Sequence, residues 1–309
     1  MAGSSEELLD AVSSATLRQL GEFSIDDVLA AGERGLEGLP SYAELYRRWE
    51  RQQWTVSSLD FDPDREAWLT AEQVERDATL WTHRLFFHGE ERVTSTLAPF
   101  VWAAPAPDVA IFLSTQLADE ARHTAFFERW WREVVGCEAI ELRELLEEVR
   151  PDVNEGYQTL FFDRLPGAAA RLASHPDDVD AFVEGVTIYH LVAEGTLALT
   201  GQRFQLASMR ELGQSHFGFY QGFTAVARDE SRHVTFGVKV LQDAVREDAG
   251  RFGPLIRDTV AECLPLIAGV VEPPDPSYLL DGVASPSEVI DFAMASLSKR
   301  LRAIGLDLD

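Results

Sequence analysis

Residues 119–123 read Asp-Glu-Ala-Arg-His, and residues 229–233 read Asp-Glu-Ser-Arg-His. In each, a Glu and a His stand three apart, Glu120 with His123 and Glu230 with His233. On a helix both side chains then leave one face, a turn apart. A single Glu-x-x-His is a common accident. Two near-identical copies, each with Asp in front and Arg inside, carry far more weight. Helical bundles build two-metal carboxylate sites this way: two helices give Glu-x-x-His, two others give one Glu each, and all point inward. The doubled motif therefore predicts an all-α fold with a four-helix core. It also directs the search to two further Glu residues.

The helical pattern runs over about 70–103, with a break at Pro99, then 108–135, about 178–212 and 215–247. On the first of these, Glu90 shares a face with Phe86, Phe87, Val93 and Leu97. A carboxylate among such groups is costly unless charge sits against it. Glu91 shares its face with Arg84, His88 and Ser95 and reads as solvated. On the third, Glu194 shares a face with His190, Leu191, Leu197 and Ala198, with Gly195 and Gly201 alongside. His190, four before Glu194, is a rival ligand that reads otherwise as a core or supporting histidine, and Glu184 reads as solvated. Glu90 precedes Glu120 by 120 − 90 = 30 residues, and Glu194 precedes Glu230 by 230 − 194 = 36. Each half is one Glu-bearing helix followed by one Glu-x-x-His helix. The candidate metal set is Glu90, Glu120, His123, Glu194, Glu230 and His233.

The remaining segments read as packing without chemistry: helices at 5–18, 25–34, from Ser41, at 138–149, 254–270 and 287–304. Asp60–Asp64, with Pro63, reads as a turn, and Gly250 and Gly253 as breaks. A Pro-rich connection covers 272–276. No boundary splits the chain, so one domain over 1–309 is expected, with the metal-binding core at about 70–247.

The chain has 309 residues and 46% hydrophobic residues, enough for a large core. Lys+Arg is 27 against 52 for Asp+Glu, a net charge of 27 − 52 = −25. Nucleic-acid binding would need the opposite sign, and an anionic membrane would repel this chain. Cys137 and Cys263 have no CxxC spacing, which suits a reduced, cytoplasmic setting. The start, Met-Ala-Gly-Ser-Ser-Glu-Glu, has no basic and apolar run of signal-peptide type, so none is expected. No apolar run approaches the ~20 residues of a membrane span.

Carboxylates and imidazoles suit manganese and iron, and with no nearby thiolate a structural zinc or iron–sulfur site is disfavoured. Four carboxylates offset much of the charge of two divalent ions, and a carboxylate can bridge them. Six ligands leave open positions for O₂ or a substrate. Asp119 and Asp229 are expected to accept hydrogen bonds from the free nitrogens of the ligand histidines, crosswise: Asp229 from His123, Asp119 from His233. Arg122 and Arg232 would then pair with acids at the bundle edge.

With these residues in this order, the stretch from about 75 to 240 resembles the ferritin-like superfamily and, within it, the ribonucleotide reductase small subunit. Two departures separate it from that subunit. The radical-forming tyrosine, four residues after the first motif histidine, is here Phe127. The C-terminal tail with its tyrosine is missing too: the last tyrosine is Tyr278, and Ile304-Gly305-Leu306-Asp307-Leu308-Asp309 has none. A tyrosine-free small subunit with a Mn/Fe cofactor is the alternative that this leaves.

The chain is more similar to the ligand-binding oxidase branch. That branch places a Val three residues after the first ligand Glu and a Tyr five before the third, joined by an ether link. Here these are Val93 and Tyr189. Gly89-Glu90-Glu91-Arg92-Val93 and Tyr189-His190-Leu191-Val192-Ala193-Glu194-Gly195 both look like that branch. The resemblance implies an O₂-activating oxidase with manganese at Glu90, Glu120 and His123 and iron at Glu194, Glu230 and His233. A pair of irons is the other composition that the ligands suit. It further implies a bound long-chain fatty acid and a homodimer. Phe86, Phe87, Phe127, Leu197 and Ala198 are the expected lining of the acyl tunnel.

Overall fold

The computed structural model describes residues 5–150, 153–270, 273, 275, 278 and 285–307. Among them every regular element is helical and no strand occurs. Most of the Pro-rich connection and the last two residues lie outside the described residues.

Four long helices carry the core. Helix α1 is Gln73–Thr96; the Glu72 backbone N–H that precedes it donates to Glu75 Oε2 at 3.1 Å. It stops just before the short helix Ala98–Trp102, where Pro99 sits in the first turn and cannot continue the earlier ladder. Helix α2, Pro107–Trp130, begins on a proline whose missing N–H is not needed there. It runs on into one π-helical turn, Trp131–Val135, and ends at Gly136 with φ 87°, a conformation that glycine adopts without strain.

Helix α3 covers 179–211 in three consecutive pieces: Val179–Val186, a π-helical stretch Thr187–Ala198, and Leu199–Glu211. Asp178 starts it by accepting the Ala181 N–H at 2.9 Å. Helix α4 is Gly218–Glu247.

Every residue of α4 from Gly218 to Leu241 is buried except Gln221 and Lys239. A helix covered on all sides is a core helix. It packs against α2 and α3, and against the flanking helices Ile25–Glu37, Ala249–Val270 and Pro286–Ile304. Glycines allow the closest approaches. A Cβ on Gly237 would stand inside contact distance of His190, and one on Gly222 inside that of Phe126.

Three flanking expectations need correction. Asp60–Asp64 is not a simple turn: Asp62–Thr70 is a helix with Pro63 in its first turn. Gly250 and Gly253 do not break the chain but lie within Ala249–Val270, where buried Phe252 and Ile256 outweigh weak helix propensity. The first helix is Ser5–Ser14, followed by a separate turn Leu17–Leu20. Among the described residues no helix is long and apolar enough to cross a membrane.

Asp64 links this periphery to the core. Its carboxylate accepts the N–H groups of Gly218 at 2.8 Å and Phe219 at 3.0 Å, so α4 is capped from another helix. Burial pushes its pKa up to about 7. Asp64→Ala leaves two buried N–H groups unmet and should lower stability by about 1–3 kcal/mol in denaturant unfolding. An unchanged midpoint would show that the cap carries no weight.

Candidate metal centre

Glu90 leaves α1, Glu120 and His123 leave α2, Glu194 leaves the π-helical stretch of α3, and Glu230 and His233 leave α4. None is more than 5% exposed. Both imidazoles turn Nδ1 inward. His123 Nδ1 is 3.3 Å from Glu90 Oε2, 3.5 Å from Glu120 Oε2 and 3.4 Å from Glu230 Oε1. His233 Nδ1 is 3.3 Å from Glu120 Oε1, 3.6 Å from Glu194 Oε1 and 3.4 Å from Glu230 Oε2. Glu120 and Glu230 thus offer one oxygen to each histidine, which is a bridging arrangement. Glu90 and Glu194 each serve one side only.

The outer nitrogens meet the two aspartates crosswise. His123 Nε2 is 3.4 Å from Asp229 Oδ2, and His233 Nε2 is 3.1 Å from Asp119 Oδ2. A proton on each Nε2 leaves each Nδ1 bare toward the centre, the tautomer a metal ligand needs.

Two arginines lace the aspartates together. Arg122 donates to Asp119 at 2.5 Å and Asp229 at 2.8 Å; Arg232 donates to the same pair at 2.6 and 3.0 Å. Arg122 is half-buried, whereas Arg232 does not lie at the edge that the sequence suggested. Arg232 is 4% exposed, and its acid partners among the described residues, Asp119 and Asp229, are themselves wholly buried.

Two indoles complete the layer: Trp49 Nε1 donates to Asp119 Oδ1 at 2.9 Å, and Trp54 Nε1 to Asp229 Oδ2 at 2.8 Å. Both belong to the N-terminal segments read as packing without chemistry. Nothing local in the sequence marks them, since their partners lie far along the chain.

Charge decides what the cluster can hold. Asp119 and Asp229 are balanced by Arg122 and Arg232, but among the described residues no lysine or arginine pairs with the four glutamates. Burial pushes the Glu90 carboxyl up to about 8 and Glu194 well above the usual range. Burial lowers the basicity of both imidazoles, yet the surrounding carboxylates, Glu90 first for His123 and Asp119 first for His233, hold them well above the usual value. Within the cluster, five buried atoms have no hydrogen-bond partner: His123 Nδ1, His233 Nδ1, Glu120 Oε2, Glu194 Oε2 and Glu230 Oε2. Orphaned polar atoms at this depth are costly, and these five face one another across a single cluster. Glu90, Glu120, His123 and Glu230 converge on one point, and Glu120, Glu194, Glu230 and His233 on a second. Two divalent cations would satisfy these atoms and offset four carboxylates. The donors are oxygen and imidazole nitrogen, which suit first-row metals such as manganese and iron.

No protein-family model matches the chain. Solved structures do, among them R2-like ligand-binding oxidases with a reconstituted Mn/Fe cofactor. A valine-to-alanine variant, anaerobically reconstituted, matches with TM-score 0.74 and 26% identity over 88% of this chain and 95% of its own. A tyrosine-to-phenylalanine variant, aerobically reconstituted, matches with TM-score 0.73 and 26% identity over the same shares. A glycine-to-leucine variant matches with TM-score 0.73 and 25% identity over 88% and 94%. The fold is that of the R2-like ligand-binding oxidases. The resemblance read from the sequence thus holds in three dimensions.

Within this R2-like oxidase fold, a cavity of about 920 Å³ lies between α1 and α3. Its inner end is walled by Glu90, Val93, Glu194 and Glu230, and it passes Phe86, Leu197 and Ala198 toward Thr70, Glu75 and Leu212. Phe87 and Phe127 do not line it. Phe87 is turned about 100° from Phe86 on α1. Phe127 packs into the aromatic group of Phe126, Phe219 and Phe223.

Tyr189 is wholly buried, and its hydroxyl donates to Glu120 Oε1 at 3.0 Å. It stands five residues before Glu194, a spacing that an α-helix would put on different faces. The i→i+5 winding of the π-helical stretch brings both to the centre. Sequence periodicity at 3.6 could not show this. The sequence reading also missed Gln116, whose Nε2 donates to Glu194 Oε1 at 2.8 Å.

The Glu90 carboxyl, raised to about 8, holds its proton at pH 7 in the metal-free cluster, so a divalent ion bound there must displace it. Anaerobic addition of Mn(II) to weakly buffered protein at pH 7 should acidify the solution, and affinity should fall as pH falls. Binding without proton release would contradict the electrostatics described.

Proposed function

We propose that the protein is a dinuclear Mn/Fe carboxylate oxidase that activates O₂ to oxidise a C–H bond. The reading is carried by one observation: six buried ligand-type side chains form two histidine-centred halves with orphaned atoms, and three of them, Glu90, Glu194 and Glu230, wall the inner end of a largely apolar cavity. Glu90, Glu120 and His123 would hold manganese, Glu194, Glu230 and His233 iron, with Glu120 and Glu230 between them. Once bound, the metal pair would supply the reduction of O₂ and the power to remove hydrogen from an unreactive carbon.

The chain's own groups set where that power acts. Asp119 and Asp229 hold the imidazole protons on Nε2. Val93, one turn beyond Glu90, faces the cavity end. With no processed ligand present, Val93 Cβ would lose one hydrogen and Tyr189 oxygen another, and a Cβ–O bond would form with O₂ as acceptor. A long-chain fatty acid would place its carboxylate at the open metal positions and its tail along Phe86, Leu197 and Ala198. We further propose a homodimer. The net charge of −25 argues against a nucleic-acid partner, and the free thiols of Cys137 and Cys263 suit a cytoplasmic setting.

Peptide mass spectrometry after aerobic loading with both metals tests the link. The expected species joins the Val93 and Tyr189 peptides, lighter than their sum by two hydrogens, and is absent without O₂. Separate, unmodified peptides from protein holding two metals would overturn the cross-link and favour the reductase-subunit reading. Ala198→Trp should narrow the cavity beside the cluster. Organic extraction should then recover little or no long-chain acid from protein that still binds two metals; undiminished acid would place the ligand elsewhere.

A further inference from the structure

The two halves of the centre are built alike in their ligands and differently in what stands behind them. Four residues before Glu120 is Gln116, and four before Glu230 is Val226. Four before Glu194 is His190, and four before Glu90 is Phe86. Five before Glu194 is Tyr189, and five before Glu90 is Leu85. The Glu194 side is therefore backed by an amide, an imidazole and a phenol, where the matching positions around Glu90 are apolar.

These polar groups form one chain. Gln116 is wholly buried, and its Nε2 donates to Glu194 Oε1 at 2.8 Å and to Glu120 Oε1 at 3.3 Å. An amide nitrogen turned to two carboxylates leaves its oxygen to face His190, whose Nε2 lies 3.0 Å away and must donate. His190 is also wholly buried, and the absence of a side chain at Gly237 makes room for its ring. Its position is thus fixed by packing, and it fixes Gln116. Glu194 is left with Oε1 engaged and Oε2 without a partner. Glu90 meets His123 at 3.3 Å, and among the described residues no amide or hydroxyl donates to its carboxylate.

We infer that Gln116, aimed by His190, is a positioning residue that makes the two metal positions unequal, leaving Glu194 one free oxygen while Glu90 keeps both. The inference rests on the two-metal reading above. A neutral donor on a carboxylate fixes its rotation and draws off part of its charge. Affinity order among first-row divalent ions is nearly the same for any such ligand set, so holding two different ions needs an inequality of this kind.

The test uses Mn(II) alone as probe, added anaerobically to metal-free protein. Calorimetry counts and ranks the binding steps, and anomalous diffraction assigns each to a position. Gln116→Met keeps the length and removes the amide. It should weaken binding at Glu194, Glu230 and His233 by about 10–100-fold, with the Glu90, Glu120 and His123 position changed by less than about threefold. His190→Leu, which touches no ligand, should weaken the same position by a smaller factor, and decides the matter if Gln116→Met does not fold. Equal losses at both positions, or no loss at either, would overturn the inference. Wild-type protein that binds fewer than two ions would instead overturn the two-metal reading.

Discussion

Four carboxylates buried together without a lysine or arginine among them is the constraint on which the rest of this structure depends. An uncompensated charge at this depth costs several kcal/mol, and burial accordingly pushes the Glu90 carboxyl up to about 8. The fold does not solve this with its own cations. It spends Arg122 and Arg232 on Asp119 and Asp229, one layer further out, so that those aspartates can orient the histidines. The inner layer is left without a lysine or arginine among the described residues, and partly orphaned. Its completion has to come from outside the chain.

That division of labour explains why the helices are arranged as they are. Each half-site needs ligands from three helices, with Glu120 and Glu230 shared. Such a centre requires α2 and α4 to run side by side, with α1 and α3 placed outside them. The space left between α1 and α3 is the cavity. α4, which gives two ligands and one of the aspartates, is enclosed on all sides. Its N-terminal amide groups are met by Asp64 and its closest neighbours are accommodated at Gly222 and Gly237.

Much of this was legible in the sequence, because the doubled motif joins a chemical pattern to a helical one. The all-helical architecture, the four core helices to within a few residues and the six side chains that come together could all be read from spacing. So could the crosswise aspartates, since a residue next to a ligand Glu on one helix faces the histidine of the other. What could not be read depends on departures from the 3.6-residue period or on distant partners. The π-helical stretch in α3 changes which residues share a face with Glu194. Trp49 and Trp54 gain their meaning only when the N-terminal segments fold over the bundle. Phe87 and Phe127 have the right composition for a tunnel wall, but their direction is set by packing. Glycine at 250 and 253 signals a break only where no buried neighbours hold the helix together.

The burial of α4 has a consequence for the life of the molecule. Its ligands can meet those of α1 only after segments far apart in the chain have been brought round it, so the centre cannot exist in a half-folded chain. An ion captured there binds the finished structure and not its precursors, and so adds its binding energy to the folded state alone. Chains left empty keep the orphaned atoms of the cluster and open more readily. A cell's proteases, which act on opened chains, would then remove the empty copies first, and the surviving population would be sorted by metal content without any dedicated inspector.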